Sequence, residues 1–448
     1  MVRVITQETF NEVVKENLEL DMSPEEAIED AVEQFEAQGV DLSNIVKEVM
    51  DNIPGESKNK LKSCLDNLGK LIKTSSAKEN EIITELKILK EECNKSLAHK
   101  VFAGSNGAYS MLVDILEMYS GNYDIALAAL NTIIALMNGN PDLLEKRGIN
   151  VIINYLDTQK NADIQIKVLE WTKVCCIKHE QNRQDIFDMK ILARLTKLLH
   201  MADVPPGVVK NVCCVARALT LDDDIRVQFG KAHEHARELA SEILCTLTDL
   251  LQKFKGDKEM VSDIILTLTA LIVRNEFCQK VEEAGGITFV MDVFVNFHDN
   301  EKLTRQCLKL VKGLAGNDDV KVHLVQKGIG PLIVSSMHRH EKSAGVVGAG
   351  CSTIAALCLR CSANSILLYD AGAPEVILQG MKIHNKDADV QKQGSWAIRN
   401  MVSRDKSLCL EFLKLGAEDI LRTAIKNHGK KIDYDAKAAL RDLNCAIE

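Results

Sequence analysis

His233 and His235, with Cys245 ten residues beyond, carry the side chains that zinc prefers. On a helix, residues two apart diverge by about 200°, so the two imidazoles do not converge. No second Cys/His pair stands at finger spacing, and His338 with His340 fails for the same reason. Gly345 to Gly350, GVVGAG, has the glycine density of a phosphate loop, but no Lys-Ser/Thr follows and no strand precedes it. Small residues there read as points of close helix packing. Among fourteen cysteines none sits in a local signature that would pair a thiolate with a base. Cys175-Cys176 and Cys213-Cys214 fall inside helical patterns where neighbours point apart, so the thiols read as buried packing groups rather than disulfides. The residues predict no enzyme, no metal and no cofactor.

The elements that carry these residues have a simple composition. The 448 residues are 46% hydrophobic but only 4% aromatic, with seven prolines, which fits aliphatic helix-on-helix packing. Residues 1–60 hold fifteen Asp or Glu against five Lys or Arg, a balance of -10, so the remainder is near neutral at +1. A neutral body lacks the basic face that nucleic-acid binding needs. Met1 to Asp21 carries glutamates and lacks an apolar core, so no secretory leader is expected, and no apolar run reaches the roughly 18 to 20 residues of a membrane span. The expectation is a reduced, cytoplasmic protein with the nucleus as a second location.

One unit recurs. In Asp389 to Ile425, Trp396 and Asn400 share a helix face, Ser403 ends that helix, an apolar run leads to Gly416, and Ala417, Ile420, Leu421 and Ala424 start another amphipathic helix. Polar starts recur at Asn140, Asn182, Asp224, Asn275, Asn317, Asn364 and Asp405, with spacings of 42, 42, 51, 42, 47 and 41 residues. They suit helix N-caps. Gly107, Gly148, Gly285 with Gly286, Gly328, Gly372 and Gly416 mark the corners, and two corners lack a glycine, at Met189-Lys190 and near Ala236. A period of about 40 to 47 residues in an all-helical pattern is that of HEAT or armadillo arrays. Three helices per unit predict an all-α, armadillo-type α-solenoid, a right-handed superhelix of three-helix repeats.

Residues 1–51 read as an acidic helical segment outside the period. Phe10, Val13, Val14 and Leu18 form one apolar stripe; Ser23, Pro24 and Glu26 spell a capping box; Ile28, Ala31, Val32 and Phe35 form a second stripe that Gly39 closes. Asn52 to Asn59 reads as a linker (52–59), residues 60–107 as an imperfect capping repeat, and 108–448 as the array. Third helices align as Asn131/Ala135, Trp171/Cys175, Cys214/Ala218, Leu266/Ala270, Lys309/Gly313, Ser352/Ala356, Trp396/Asn400 and Ala438/Asp442, first positions 40, 43, 52, 43, 43, 44 and 42 apart. The long interval places an insertion at 231–238, KAHEHARE, expected as a loop.

The wording then resembles that of the armadillo repeat-containing protein 6 family. The likeness is carried by QETF (7–10), PEEA (24–27), GVDLSNIV (39–46), KHEQNRQD (178–185), DDDIRV (222–227), RNEFCQ (274–279), AGNDDVK (315–321) and AKAALRDL (436–443). It implies a non-enzymatic armadillo protein. Armadillo proteins of the importin-alpha and beta-catenin kind hold an extended partner with a ladder of Asn side chains on third helices; here Asn400 alone matches, with Asp442 a substitute, and Trp171 and Trp396 match the tryptophan positions.

One turn before the aligned positions stand Leu127, Lys167, Lys210, Ser262, Arg305, Gly348, Lys392 and Tyr434, with Lys309 inside the row. Lys167, Trp171, Lys210, Arg305, Lys309, Lys392, Trp396 and Asn400 are therefore the expected partner-binding residues of a concave face, suited to an acidic extended or helical segment. A solvated helix face is the plainer account of the lysines. Residues 7–39, acidic and amphipathic, are expected to contact that row from within the chain. The expected function is a protein-interaction scaffold, with a transport or chaperone-type adaptor, importin-like or linked to Hsp70/Hsp90, as the competing class.

Overall fold

The computed structural model describes residues 5, 7–20, 22–42, 45, 47, 53, 55–73, 79–403 and 405–446, and all the regular elements among them are helical. They form two compact units, Met1–His235 and Ala236–Glu448. The first opens with α1 (Gln7–Glu19), α2 (Pro24–Ala37), α3 (Gly55–Lys73) and α4 (Glu79–Cys93). A complete triplet follows: α5 (Leu97–Ser105), α6 (Ala108–Met118) and α7 (Tyr123–Met137). In the next repeat the 3-10 turn Pro141–Leu143 replaces the first helix, ahead of α8 (Lys146–Thr158) and α9 (Ala162–Cys176). The unit's last triplet is α10 (Glu180–Asp188), α11 (Ile191–Leu199) and α12 (Pro206–Leu219).

Starting at the boundary, α13 (Ala232–Lys253) and α14 (Lys258–Leu271) make a repeat without a first helix. Four full triplets complete the second unit: α15 (Asn275–Glu283), α16 (Gly286–Asn296) and α17 (Glu301–Leu314); α18 (Asp318–Gln326), α19 (Ile329–Arg339) and α20 (Ala344–Cys358); α21 (Ser362–Asp370), α22 (Ala373–Ile383) and α23 (Ala388–Val402); α24 (Leu408–Lys414), α25 (Ala417–His428) and α26 (Asp433–Asp442). All eight aligned pairs fall on third helices. In the first unit α4, α7, α9 and α12 pack side by side, and in the second α14, α17, α20, α23 and α26 do.

Side chains tie each repeat to the one before it. Thr132 Oγ1 donates to Leu86 O (3.0 Å) and Thr353 Oγ1 to Leu308 O (2.9 Å), both between neighbouring third helices. On the second helices His340 donates through Nε2 to His298 O, His384 to Glu341 O and His428 to Asn385 O, each at 2.8 to 2.9 Å. His340 thus ties its repeat to the one before.

The corners follow the glycines with two exceptions. Gly107, Gly285, Gly328, Gly372 and Gly416 take φ between 81° and 91°, a region that costs side chains with a Cβ. Lys190 accepts that cost at φ 62°, in a corner the sequence left without a glycine. Gly148, expected at a corner, lies inside α8, where a Cβ would stand 2.0 Å from the Tyr109 hydroxyl. It serves close approach instead. Polar starts also divide: Asn317 caps α18 through Asp319 N and Val320 N, whereas Asn182 and Asn364 lie within their helices and bind carbonyls of the preceding repeat, Pro141 O and Lys321 O.

Three expectations about boundaries change. Gly55 to Asn59, read as linker, form the start of α3; Asn52 and Pro54 lie outside the described residues. The first full triplet begins at Leu97, within the stretch read as a capping repeat. KAHEHARE is no loop, because Ala232 to Glu238 form the first turns of α13. The irregular stretch precedes it, at 221–231, where a short helix starting at Asp224 was expected.

Buried charge explains that stretch. Arg183, 0% exposed, donates to Glu180 Oε2 (2.8 Å), Asp223 Oδ1 (2.6 Å) and Cys176 O (2.8 Å). Asp224, buried, accepts from Glu180 N and from Arg226, and Arg226 also reaches Asp142, which pairs with His179. Lys231 N closes the far end on Glu180 Oε1 at 2.7 Å. KHEQNRQD and DDDIRV, remote in sequence, thus form one clamp, and its carboxylates recruit the chain that would otherwise wind into a helix.

The His179 bond, then Arg226, lowers the Asp142 pKa to about 2. Burial alone would raise the carboxyls of Glu180 and Asp224, but their hydrogen bonds outweigh it and hold both below the ordinary range. All three folded values lie below the unfolded ones, so the stabilisation is complete above about pH 4.5 and is lost as pH falls toward the folded values. Thermal melts followed by circular dichroism at pH 7, 4 and 3 should show a steeper loss for the wild type than for Asp142→Asn/Glu180→Gln; parallel losses would dismiss the clamp as an acid sensor.

At the N-terminus the capping box forms: Glu26 N donates to Ser23 Oγ, and Ser23 N to Glu26 Oε2. The two apolar stripes meet each other. Phe10, Val14, Ala27, Ala31, Phe35, Val40, Leu42 and Ile45 make a core confined to this hairpin, with the rings of Phe10 and Phe35 6.0 Å apart. Asn17 locks it by donating to Ala27 O and Asp30. The two helices therefore bury their apolar faces on each other.

Candidate partner-binding face

The predicted binding residues separate by unit. In the first, Trp171 is 0% exposed, and its indole N–H donates to Met137 Sδ (3.0 Å) on the preceding third helix, α7. A fully covered ring offers a partner nothing, so its expected role as a surface anchor is corrected to a core role. Lys167 is half-buried and paired with Glu170 on its own helix at 2.7 Å. Lys210 is exposed on α12.

In the second unit the row stays open. Trp396 is 36% exposed and leans the other way, its N–H donating to Asp435 Oδ1 (2.5 Å) on the following third helix, α26. Lys392 Nζ stands 5.5 Å from the centre of that ring, a cation–π contact. Because N–H bond and ammonium both act on it, the indole is held in place while one part stays in water. Arg305 and Lys309 are exposed on α17, one turn apart. Asn400, the single match to an asparagine ladder, donates to Ala355 O (2.8 Å) on α20. Its amide is used in helix packing, which corrects its expected role as a partner ligand.

Between α17 and α23, helix α20 is a low floor. Gly345 and Ala349 reach the surface, Gly348 and Ser352 lie just beneath it, and Ala356 is half-buried. Arg305 lies along the floor, its Cδ and Nη1 3.3 Å from where a Gly345 Cβ would stand. On the opposite side of the same helix a Gly350 Cβ would meet Met337 at 2.5 Å, so GVVGAG does serve close packing there. Sequence reasoning missed Asp435, buried one turn before the aligned Ala438, because Asp at a helix start reads as capping.

All fourteen cysteines are free thiols, and ten are buried. Burial pushes Cys93, Cys176, Cys351 and Cys358 up to about 12, which keeps them protonated and unreactive. No group of three or more His, Cys, Asp or Glu suited to a metal occurs among the described residues, nor is any described helix long and apolar enough to cross a membrane.

Triplets of helices, left-handed corners and third helices stacked into rows define an armadillo-type α-solenoid. Solved structures agree on that fold: a chain from work on a conserved phosphorylation switch controlling the interaction between cadherin and beta-catenin superposes with TM-score 0.66 at 13% identity, covering 88% of this chain and 78% of that one. An engineered protein superposes with TM-score 0.58 at 15% identity, covering 86% of this chain and 100% of its own.

Sequence comparison narrows the class. The ARMC6 family model matches residues 61–448, and that of the armadillo repeat-containing protein 6 N-terminal domain matches residues 2–80. Relatives include an armadillo repeat-containing protein 6 homolog from Drosophila melanogaster, 38% identical over 83% of this chain and 81% of its own length. The Homo sapiens armadillo repeat-containing protein 6 is 35% identical over 81% of this chain and 75% of its own length. The chain belongs to the armadillo repeat-containing protein 6 family.

Proposed function

We propose that this protein is a non-enzymatic interaction scaffold that holds a segment of a partner protein across the third-helix face of its second unit, over α17, α20 and α23. The observation that carries this reading is Trp396, fixed by Asp435 and Lys392 yet part exposed beside a floor of small residues. A rigid, half-exposed tryptophan contributes a large contact area to a partner at little entropic cost. Small residues on α20 let a partner backbone approach the helix closely.

Amine-reactive crosslinking of native complexes of the full chain, read by mass spectrometry, tests it. Partner crosslinks are expected at Lys309 and Lys392 and should be lost in Trp396→Ala, whose fold is checked by circular dichroism. Crosslinks confined to other lysines, or unchanged by that substitution, would refute the assignment.

A further inference from the structure

We infer that the occupant of this face is an acidic, extended segment, an inference that rests on the scaffold reading and specifies its ligand. Arg305, Lys309 and Lys392 border the α20 floor, and among the described residues none of them makes an ion pair. The carboxylates near them have partners of their own, neutral donors for Asp435 and Glu301 and cations for Asp442. Asp435 accepts from Trp396, Asp442 lies against Arg399 and Arg441, and Glu301 accepts from Ser343. Asp389, exposed at the start of α23, lies 3.6 Å from the position of a Gly348 Cβ and accepts from Gln393, so it bounds the cationic stretch at that end.

Such a surface carries three cations against the carboxylate of Asp389 at its edge and that of Asp435 beneath Trp396, and favours a partner that brings carboxylates. Packed helices lie about 8–10 Å apart, so Lys392 and the α17 pair are separated by roughly 16–20 Å. That is the reach of about five or six extended residues at ~3.3 Å each. The ligand the face fits is a strand-like stretch with acidic residues toward both ends of such a span and a flat or apolar side chain against Trp396.

The test uses the full chain and a twelve-residue peptide of alternating Glu and Ser with one central Phe, with a Lys/Ser peptide of equal length carrying the same Phe as its opposite. Of the two tryptophans only Trp396 touches solvent, so intrinsic fluorescence reports the site directly. The acidic peptide should bind and change that fluorescence, with affinity that falls as salt rises, since screening acts beyond about 8 Å at physiological ionic strength. Arg305→Glu/Lys309→Glu should weaken binding at least about tenfold, while Lys327→Glu/Lys426→Glu, an equal change of net charge at exposed lysines on a first and a second helix, should change it less than about twofold.

Absence of binding by the acidic peptide, equal binding by the basic one, or equal weakening by both double variants would each overturn the proposal. Failure here is separable from failure of the scaffold reading. A non-acidic partner crosslinked at Lys309 and Lys392 would leave the face in use and remove only the acidic ligand.

Discussion

Trp171→Ala is expected to lower the unfolding free energy by about 3–5 kcal/mol, the usual cost of emptying a fully buried aromatic site. The indole lies against α7 with its N–H on Met137, so truncation leaves a cavity between two third helices and removes that bond. Denaturant titration followed by circular dichroism measures the loss. Trp396→Ala, at the equivalent alignment position, should cost less, about 1–3 kcal/mol, because the part-exposed ring leaves no closed cavity and its main loss is the donor to buried Asp435. Equal costs would mean that the two rings share one environment. The contrast separates a tryptophan enclosed in the core from one left part exposed, although sequence gives them the same address.

Arg183→Met should destabilise the first unit by about 3–5 kcal/mol, because removing one member of a buried ion cluster strands the others. Glu180 and Asp223 would lose their shared guanidinium, and Cys176 O its donor. The pH dependence separates this cause from lost packing. In the wild type Glu180 is stabilised as the anion and contributes above the ordinary carboxylate range. Without Arg183 that anion is a liability, so protonation relieves the variant. The gap between variant and wild type should narrow from pH 7 to about pH 4.5, measured as denaturation midpoints at fixed slope. A pH-independent gap would assign the effect to side-chain volume alone.

The N-terminal hairpin shows where stripe reading stops. Phe10, Val14, Ala31 and Phe35 were identifiable as buried positions from spacing alone, and the Ser23–Glu26 capping box formed as written. What those stripes would be buried against was not legible. A stripe states that a face must be covered and says nothing of its cover, and here two adjacent helices cover each other.

Sequence by itself determined the helical triplet, its period, the eight aligned third helices and five of the left-handed corners, because each depends on local chemistry: apolar spacing, N-caps and glycine. Tertiary structure decided which way each tryptophan leans, whether the Asn400 amide faces a partner or the neighbouring helix, and that residues 221–231 are recruited by Glu180 and Arg183 instead of coiling. Those outcomes depend on atoms one repeat away, about 40 residues distant in the chain, and no window of local sequence contains both partners.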